Sequence, residues 1–254
     1  MSGLRERVVD ATVLVGEWLL DRIDRLVARF SRLGDPAFFS QDDFLWSHGL
    51  EANWELIRKE LDAVLAHRDD LPSFQDISTD QATITDDDRW KTYFLYGFGF
   101  RSDANCARCP ETARLVAAVP GMCSAMFSIL SPGKHIPPHN GPYKGVIRYH
   151  LALKVPEPRE RCRIRVGDEI ATWEEGRSLI FDDTYEHEVW NDTDGIRVVL
   201  FLDVVRPLRF PMNVFNRIVL QAIAWSPFVG DARRRHLEWE ERYAALHPDT
   251  ATAA

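Results

Sequence analysis

Residues 187–205 read His187-Glu188-Val189-Trp190-Asn191-Asp192-Thr193-Asp194-Gly195-Ile196-Arg197-Val198-Val199-Leu200-Phe201-Leu202-Asp203-Val204-Val205. A short β-rich run, a turn of Asn, Asp, Thr and Gly, and a longer β-branched run predict two strands joined near 191–195. With the turn centred on Thr193, an antiparallel hairpin would set His187 opposite Val199 and diagonal to Arg197. Both would share one sheet face, because side chains alternate with a period of two. The same texture extends outward through 91–100, 126–130, 146–155, 161–166 and 178–181. Strands this short, separated by turns, indicate an antiparallel sandwich or barrel. In 146–155 the alternation separates Ile147, Tyr149, Leu151 and Leu153 from Arg148 and His150. Two cationic or polar side chains on the inner face of a core strand are costly unless an anion satisfies them.

Helices flank this β-rich centre. Leu4, Val8, Ala11, Val15, Leu19, Ile23, Leu26, Phe30 and Leu33 recur at helical spacing, and Gly34-Asp35-Pro36 ends the pattern. A second helix is expected over 50–67, with Trp54, Ile57, Leu61 and Val64 on one face. A third, short helix is expected over 111–119, and the acidic stretch 69–88, broken by Pro72, reads as a long loop. The chain therefore divides into an amphipathic helix (1–34), a β domain with supporting helices (35–207) and an apolar, basic helical extension (208–254). Between Asp203 and His236 stand six Arg against two Asp. Two readings fit that extension: a core-packed helix with solvated arginines, or a helix lying on anionic lipid.

Composition narrows the partners. The 254 residues, 45% apolar and 28% charged, carry a net charge of −8, which argues against nucleic acid. Four cysteines are too few for a disulfide scaffold and suit a reducing compartment. The Cys106-x-x-Cys109 pair has no second pair at zinc spacing. No apolar run approaches the roughly 20 residues that span a bilayer, and the start lacks a signal-peptide pattern. The expected location is cytoplasmic, peripheral on the inner face of the membrane.

Histidine placement carries the chemistry. His135 and His139 stand four apart, but Pro137 and Pro138 forbid the helix that a zinc-protease motif needs. His139 instead precedes the 146–155 strand in a turn. An imidazole such as His187 binds a borderline metal such as iron. A guanidinium such as Arg197 holds the carboxylate of a ligand that reaches the metal with its other end. With Arg148 and His150 added, the cavity is expected to take a dicarboxylate. Each residue also has an ordinary reading: Arg148 or Arg197 paired with Asp182, Asp183 or Glu186, and each histidine hydrogen-bonded in the core.

One set of motifs ties these residues together: Ser128-Ile129-Leu130-Ser131-Pro132-Gly133-Lys134-His135-Ile136-Pro137-Pro138-His139-Asn140-Gly141-Pro142, Arg148-Tyr149-His150-Leu151, Trp173-Glu174-Glu175-Gly176, Phe181-Asp182-Asp183-Thr184-Tyr185-Glu186-His187, and Arg197. Over roughly 35–207 the chain resembles the aspartyl/asparaginyl β-hydroxylase family of Fe(II)- and 2-oxoglutarate-dependent dioxygenases. The resemblance implies an α+β fold with a mainly β core. That core would be a double-stranded β-helix (jelly roll, cupin-like) flanked by N- and C-terminal helices. It implies His139 and His187 as iron ligands, Trp90, Ser128, Arg148, His150 and Arg197 around 2-oxoglutarate, and O2 as oxidant. Gly141 stands where most such oxygenases carry an Asp or Glu ligand. Further likeness to the bacterial lipid A 2-hydroxylase branch runs through Asp88-Arg89-Trp90-Lys91-Thr92, Cys106-x-x-Cys109-Pro110, Arg163-Ile164-Arg165-Val166-Gly167-Asp168-Glu169 and Val205-Arg206-Pro207-Leu208-Arg209-Phe210-Pro211. Asn140 departs from the arginine expected in that branch. The implied reaction is hydroxylation at the 2-position of a fatty-acyl chain on a membrane lipid, lipid A or an aminolipid. The alternatives are a peptidyl Asp/Asn β-hydroxylase and a β-helix binding module that has lost catalysis. The intact His139, His187 and Arg197 speak against the second.

Overall fold

The computed structural model describes residues 22–247. Most of the helix expected over 4–33 lies outside them; the described part, α1 (22–30), is helical. Ten strands follow: β1 (Trp90–Gly97), β2 (Phe100–Arg101), β3 (Met122–Leu130), β4 (His135–His139), β5 (Val146–Lys154), β6 (Cys162–Val166), β7 (Glu169–Thr172), β8 (Ser178–Phe181), β9 (His187–Asn191) and β10 (Arg197–Val205). They form a major sheet, β2-β1-β3-β10-β5-β8, and a minor sheet, β4-β9-β6-β7. All the strand pairings are antiparallel. The two sheets close on a shared core that includes Met126, Leu130, Ile164, Trp173, Val189 and Phe201, which makes a double-stranded β-helix.

The hairpin expected at 187–205 does not form. β9 pairs with β4 and β6, whereas β10 pairs with β3 and β5. The cause is the buried Asn191. Its Nδ2 donates to the carbonyls of Leu130, Ser131 and Gly195 (3.2, 3.0 and 2.8 Å), and its Oδ1 accepts from Thr193 Oγ1 at 2.6 Å. Those bonds pin residues 191–195 to the end of β3 and turn the chain from one sheet into the other. His187 and Arg197 therefore reach the interior from opposite sheets and not from one face.

The major sheet is buried on both sides. Its outer face (Tyr93, Phe127, Tyr149, Leu151, Leu200) packs on Ile57 and Leu61 of α3 (Trp54–Leu65) and on Trp239 and Tyr243 of α8 (Pro227–Leu246). The helix expected over 50–67 is two helices, α2 (Ser47–Ala52) and α3, because Asn53 leaves the helical region at φ −115° and bonds Gly49 O through Nδ2. The stretch 69–88 holds α4 (Phe74–Ile77), closed by a Ser73–Asp76 capping box; Phe74 stacks edge-on against Trp90 at 4.7 Å. Helices α5 (Asp103–Arg108) and α6 (Pro110–Ala117) precede β3, and α7 (Met212–Ala224) leads into α8. α7 packs Met212 and Leu220 with Val27 of α1, Tyr143 and Leu208. Among the described residues no helix is long and apolar enough to cross a membrane.

Candidate active site

Strand β4 reads His135-Ile136-Pro137-Pro138-His139, and two prolines are tolerable there because β4 is the edge of its sheet. They also bulge it. Ile136 pairs with Val189, yet the next pair is His139 with His187, three residues on one strand against two on the other. The bulge turns His139 to the side of His187, and the two rings stand 4.1 Å apart. His139 Nδ1 lies 2.8 Å from Pro137 O, and His187 Nδ1 lies 3.0 Å from Tyr185 O. A neutral imidazole facing a carbonyl carries its proton on that nitrogen, so both Nε2 lone pairs are left for a metal. Burial lowers both basicities, joined at His187 by the charges of His139 and Arg148, so that His187 is pushed down to about 3. Two neutral imidazoles suit a borderline divalent cation such as iron.

Behind this pair, the inner face of the major sheet is polar. Ser128 on β3 lies opposite Thr92 of β1 and Val199 of β10, which puts Arg197 diagonally next to it. Trp90 Nε1 donates to Ser128 Oγ at 3.0 Å, so the serine's own proton is free to donate elsewhere. Arg197 is 2% exposed and its guanidinium lies 4.5 Å over the ring of Trp173. Arg197 Nε and Nη1, both ring nitrogens of His150, Trp173 Nε1 and Thr92 Oγ1 are buried without a hydrogen-bond partner. So many orphaned polar atoms facing one interior fit a bound carboxylate, since each left unpaired costs about 1–3 kcal/mol. Burial lowers Arg197 to about 10, and it stays charged at neutral pH. His150 lies between the arginines; burial, then Arg197, Arg148 and His187, hold its pKa well below the usual value.

Arg148 differs. Its Nε and Nη2 donate to Asp203 Oδ1 (3.2 and 3.0 Å), and Nη2 stands 2.8 Å from Asp183 Oδ2. The ordinary reading of Arg148, pairing with Asp183, is therefore observed, and its Nε and Nη2 are engaged by protein carboxylates. A Cβ at Gly141 would collide with the Asp183 carboxylate, and Gly141 N donates to Asp183 O at 2.7 Å. Burial, and then Asp203 and Asp182 against Arg148, raise Asp183 to about 6, and its Oδ1 has no partner. A carboxylate thus fills the space beside the glycine, supplied by the 182–185 turn. That turn is fixed by Asp182, which is fully buried on Arg206, Lys144 Nζ (2.7 Å) and Thr184 Oγ1 (2.6 Å). Burial alone would raise Asp182, but Arg206 and Lys144 outweigh it and hold the carboxyl below its ordinary range.

Thr92, Trp173 and Asp203 were not singled out from sequence as site residues. Trp173 stands in the quoted motif, but nothing local shows that its ring lies under Arg197; Asp203 is only the expected inward position of β10. Cys106 and Cys109 are buried free thiols, and burial raises both. His67 and Asp70, just after α3, and His247, just after α8, form a separate group whose ligand atoms lie within 4.8 Å of one another.

Known proteins resemble this chain over most of its length. The sequence profile of the aspartyl/asparaginyl beta-hydroxylase family matches residues 51–207. The chain belongs to this family. An ornithine lipid ester-linked acyl 2-hydroxylase of Rhizobium tropici is 46% identical over 222 residues, 87% of this chain and 79% of that one. The aspartyl/asparaginyl beta-hydroxylase of Homo sapiens is 36% identical over 169 residues, 65% of this hydroxylase and 21% of its own length. The human aspartate beta-hydroxylase domain-containing protein 2 is 33% identical over 60% of this hydroxylase and 44% of itself. A prolyl-4-hydroxylase structure from Pseudomonas putida aligns over 61% of this chain and 88% of its own, with TM-score 0.39 and 17% identity.

Proposed function

We propose that this hydroxylase uses Fe(II), 2-oxoglutarate and O2 to hydroxylate the 2-position of a fatty-acyl chain on a membrane lipid, an aminolipid before lipid A. The observation that carries the cosubstrate is Arg197, a buried guanidinium with two unpaired donors in the same interior as two neutral imidazoles. The acyl substrate rests on the likeness to the Rhizobium tropici acyl 2-hydroxylase. His139 and His187 would hold the iron through Nε2. Arg197 would bind the far carboxylate of 2-oxoglutarate, with Ser128 donating its free proton to the same group and Trp90 holding Ser128 in place. His150 and Trp173 would wall the pocket and exclude water. Arg148 would act indirectly, keeping the Asp183 carboxylate beside Gly141. When bound, the metal and keto-acid supply the oxidising power that breaks an unactivated C–H bond, which no side chain here can do.

Residues 35–207 would be the catalytic unit, with 1–34 and 208–254 serving a peripheral attachment at the cytoplasmic membrane face. Anaerobic addition of Fe(II) and 2-oxoglutarate is expected to give a weak visible charge-transfer band, and its absence ends the cosubstrate reading. Lipid mass spectrometry of a deletion strain is expected to lose a 2-hydroxylated acyl species; an unchanged profile ends the lipid reading. The second reading, peptidyl Asp/Asn β-hydroxylation, is favoured by the human relative, and hydroxylation of an acidic peptide by purified protein would select it.

A further inference from the structure

We infer that the outward face of α7, with the segment that leads into it, is the surface on which this protein seats on an anionic bilayer; this deepens the lipid reading above and rests on it. Phe210, Val214, Ile218 and Trp225 are 77, 46, 63 and 79% exposed. Positions 214, 218 and 225 fall within about 40° of one another around a helix of 3.6 residues per turn, so they form one stripe. The opposite side of α7 is fully engaged: Met212, Asn216 and Leu220 are buried. Large apolar side chains this exposed and this aligned mark an interaction surface.

Charge selects the occupant. From Arg206 to Gly230 the sequence holds no Asp or Glu, in a chain of net charge −8. Arg209 and Arg217 are exposed on α7 or just before it, and Arg29 and Arg32 are exposed on the adjoining α1 segment. An anionic lipid surface complements arginines set around an apolar stripe, each contributing about 1 kcal/mol near the headgroups. A symmetric second copy would set these arginines against each other.

The surface is also joined to the site. Asn216 Oδ1 accepts from Tyr143 Oη at 2.7 Å, and its Nδ2 donates to Gly145 O at 2.8 Å. A Cβ at Gly145 would collide with Asn216, so only glycine allows this approach. Tyr143 and Gly145 lie in the loop that leaves His139. The buried side of α7 is therefore bonded to the loop that leaves His139, which ties the seated helix to that loop.

The test is co-sedimentation of the full chain with vesicles rich in phosphatidylglycerol or made of phosphatidylcholine, with hydroxyl-radical footprinting of Phe210, Ile218 and Trp225. Expected are preferential binding to the anionic vesicles and shielding of the three side chains only when vesicles are present. The R209E/R217E variant should bind at least about thirty-fold more weakly. The F210S/I218S/W225S variant should fall to background. Both should keep the wild-type melting temperature and 2-oxoglutarate binding. Undiminished binding of the triple variant overturns the proposal. So does shielding without vesicles: if independent of concentration, residues 1–21 cover the stripe, and if concentration-dependent, a second copy does. An unchanged lipid profile in the deletion strain would remove the substrate while leaving vesicle binding intact, so the two readings fail separately.

Discussion

Arg148 and Arg197 sit on neighbouring strands and point into the same interior, yet their surroundings differ completely. Arg148 meets two carboxylates, Asp203 and Asp183, and covers the ring of Phe201 at 4.2 Å. Arg197 meets an aromatic face and the Cys162 thiol, and two of its donors have no hydrogen-bond partner. Removing a guanidinium from water costs several kcal/mol unless charge and hydrogen bonds replace the lost hydration. At Arg148 the protein supplies that replacement itself. At Arg197, among the described residues, it supplies an aromatic face and a thiol but no carboxylate, which leaves room for a ligand's anion. Residue type does not separate the two arginines, and burial does so only in part, Arg148 being half-buried and Arg197 buried. The partner set does.

The sharpest way to break this comparison is R197M. The variant is expected to weaken 2-oxoglutarate binding by roughly two to three orders of magnitude, as loss of a buried charged pair does. The apo protein should melt no lower than wild type, because the substitution removes an unpaired buried charge and retains similar apolar volume. Titration of the charge-transfer band and a melting curve check the two halves. Unchanged affinity would show that Arg197 is filler. R148M should do the reverse. It strands Asp183 and Asp203 without their cation and should cost about 3 kcal/mol of stability, read by denaturant unfolding. The D183N/D203N background should recover part of that loss; no recovery would mean that Arg148 matters through packing alone.

Much of this contrast was legible in the residues. Strand parity placed Arg148 and His150 together and opposite an apolar face, as observed, because a period of two allows no other outcome once one face is buried. His139, His187 and Arg197 were joined by the resemblance of their motifs, because spacing alone set His139 in a turn and the other two in a hairpin that does not form. Asp183 stood among the possible partners of Arg148, but Asp203 did not, and nothing local chose between them. Asp183 and Asp203 stand 35 and 55 positions from Arg148, and only the closed β-helix brings them to it. The corner at 191–195 was misread for a similar reason. A turn sequence signals a reversal, but the Asn191 side chain bonding to β3 decides which sheet receives the next strand. Pro137-Pro138 excluded a helix correctly, yet they concealed an edge strand whose bulge aligns the two imidazoles.

Acid titration sharpens the comparison through the histidine that lies between the two arginines. His150 and His187 are neutral when folded, with pKa values below the usual 6.5, to about 3 for His187. The unfolded chain takes up protons near pH 6.5 and the native state does not. Stability is therefore full above that pH and falls as pH drops toward the folded values. The slope is at most about 1.4 kcal/mol per pH unit for each histidine. Metal-free protein unfolded in urea between these limits should show it, and H150F should flatten it by about one histidine's share. A stability flat in pH over this window would mean that the cavity is already wet enough to charge both rings, and the unpaired state of Arg197 would lose its significance.

The smallest effect tests how finely the Arg197 end is built. Trp90 Nε1 donates to Ser128 Oγ, and this fixes the direction of the only proton the serine has to give. In W90F the ring still packs against Phe74, but the hydroxyl regains its rotation. The expected cost is one modest hydrogen bond, about 1 kcal/mol, or roughly a fivefold weaker 2-oxoglutarate affinity with little change in melting temperature. S128A should cost at least as much, and in the W90F background it should cost less than alone, because the oriented proton is already lost. Strict additivity of the two substitutions would mean that Trp90 contributes only bulk, and that the pocket depends on Arg197 without an oriented hydroxyl beside it.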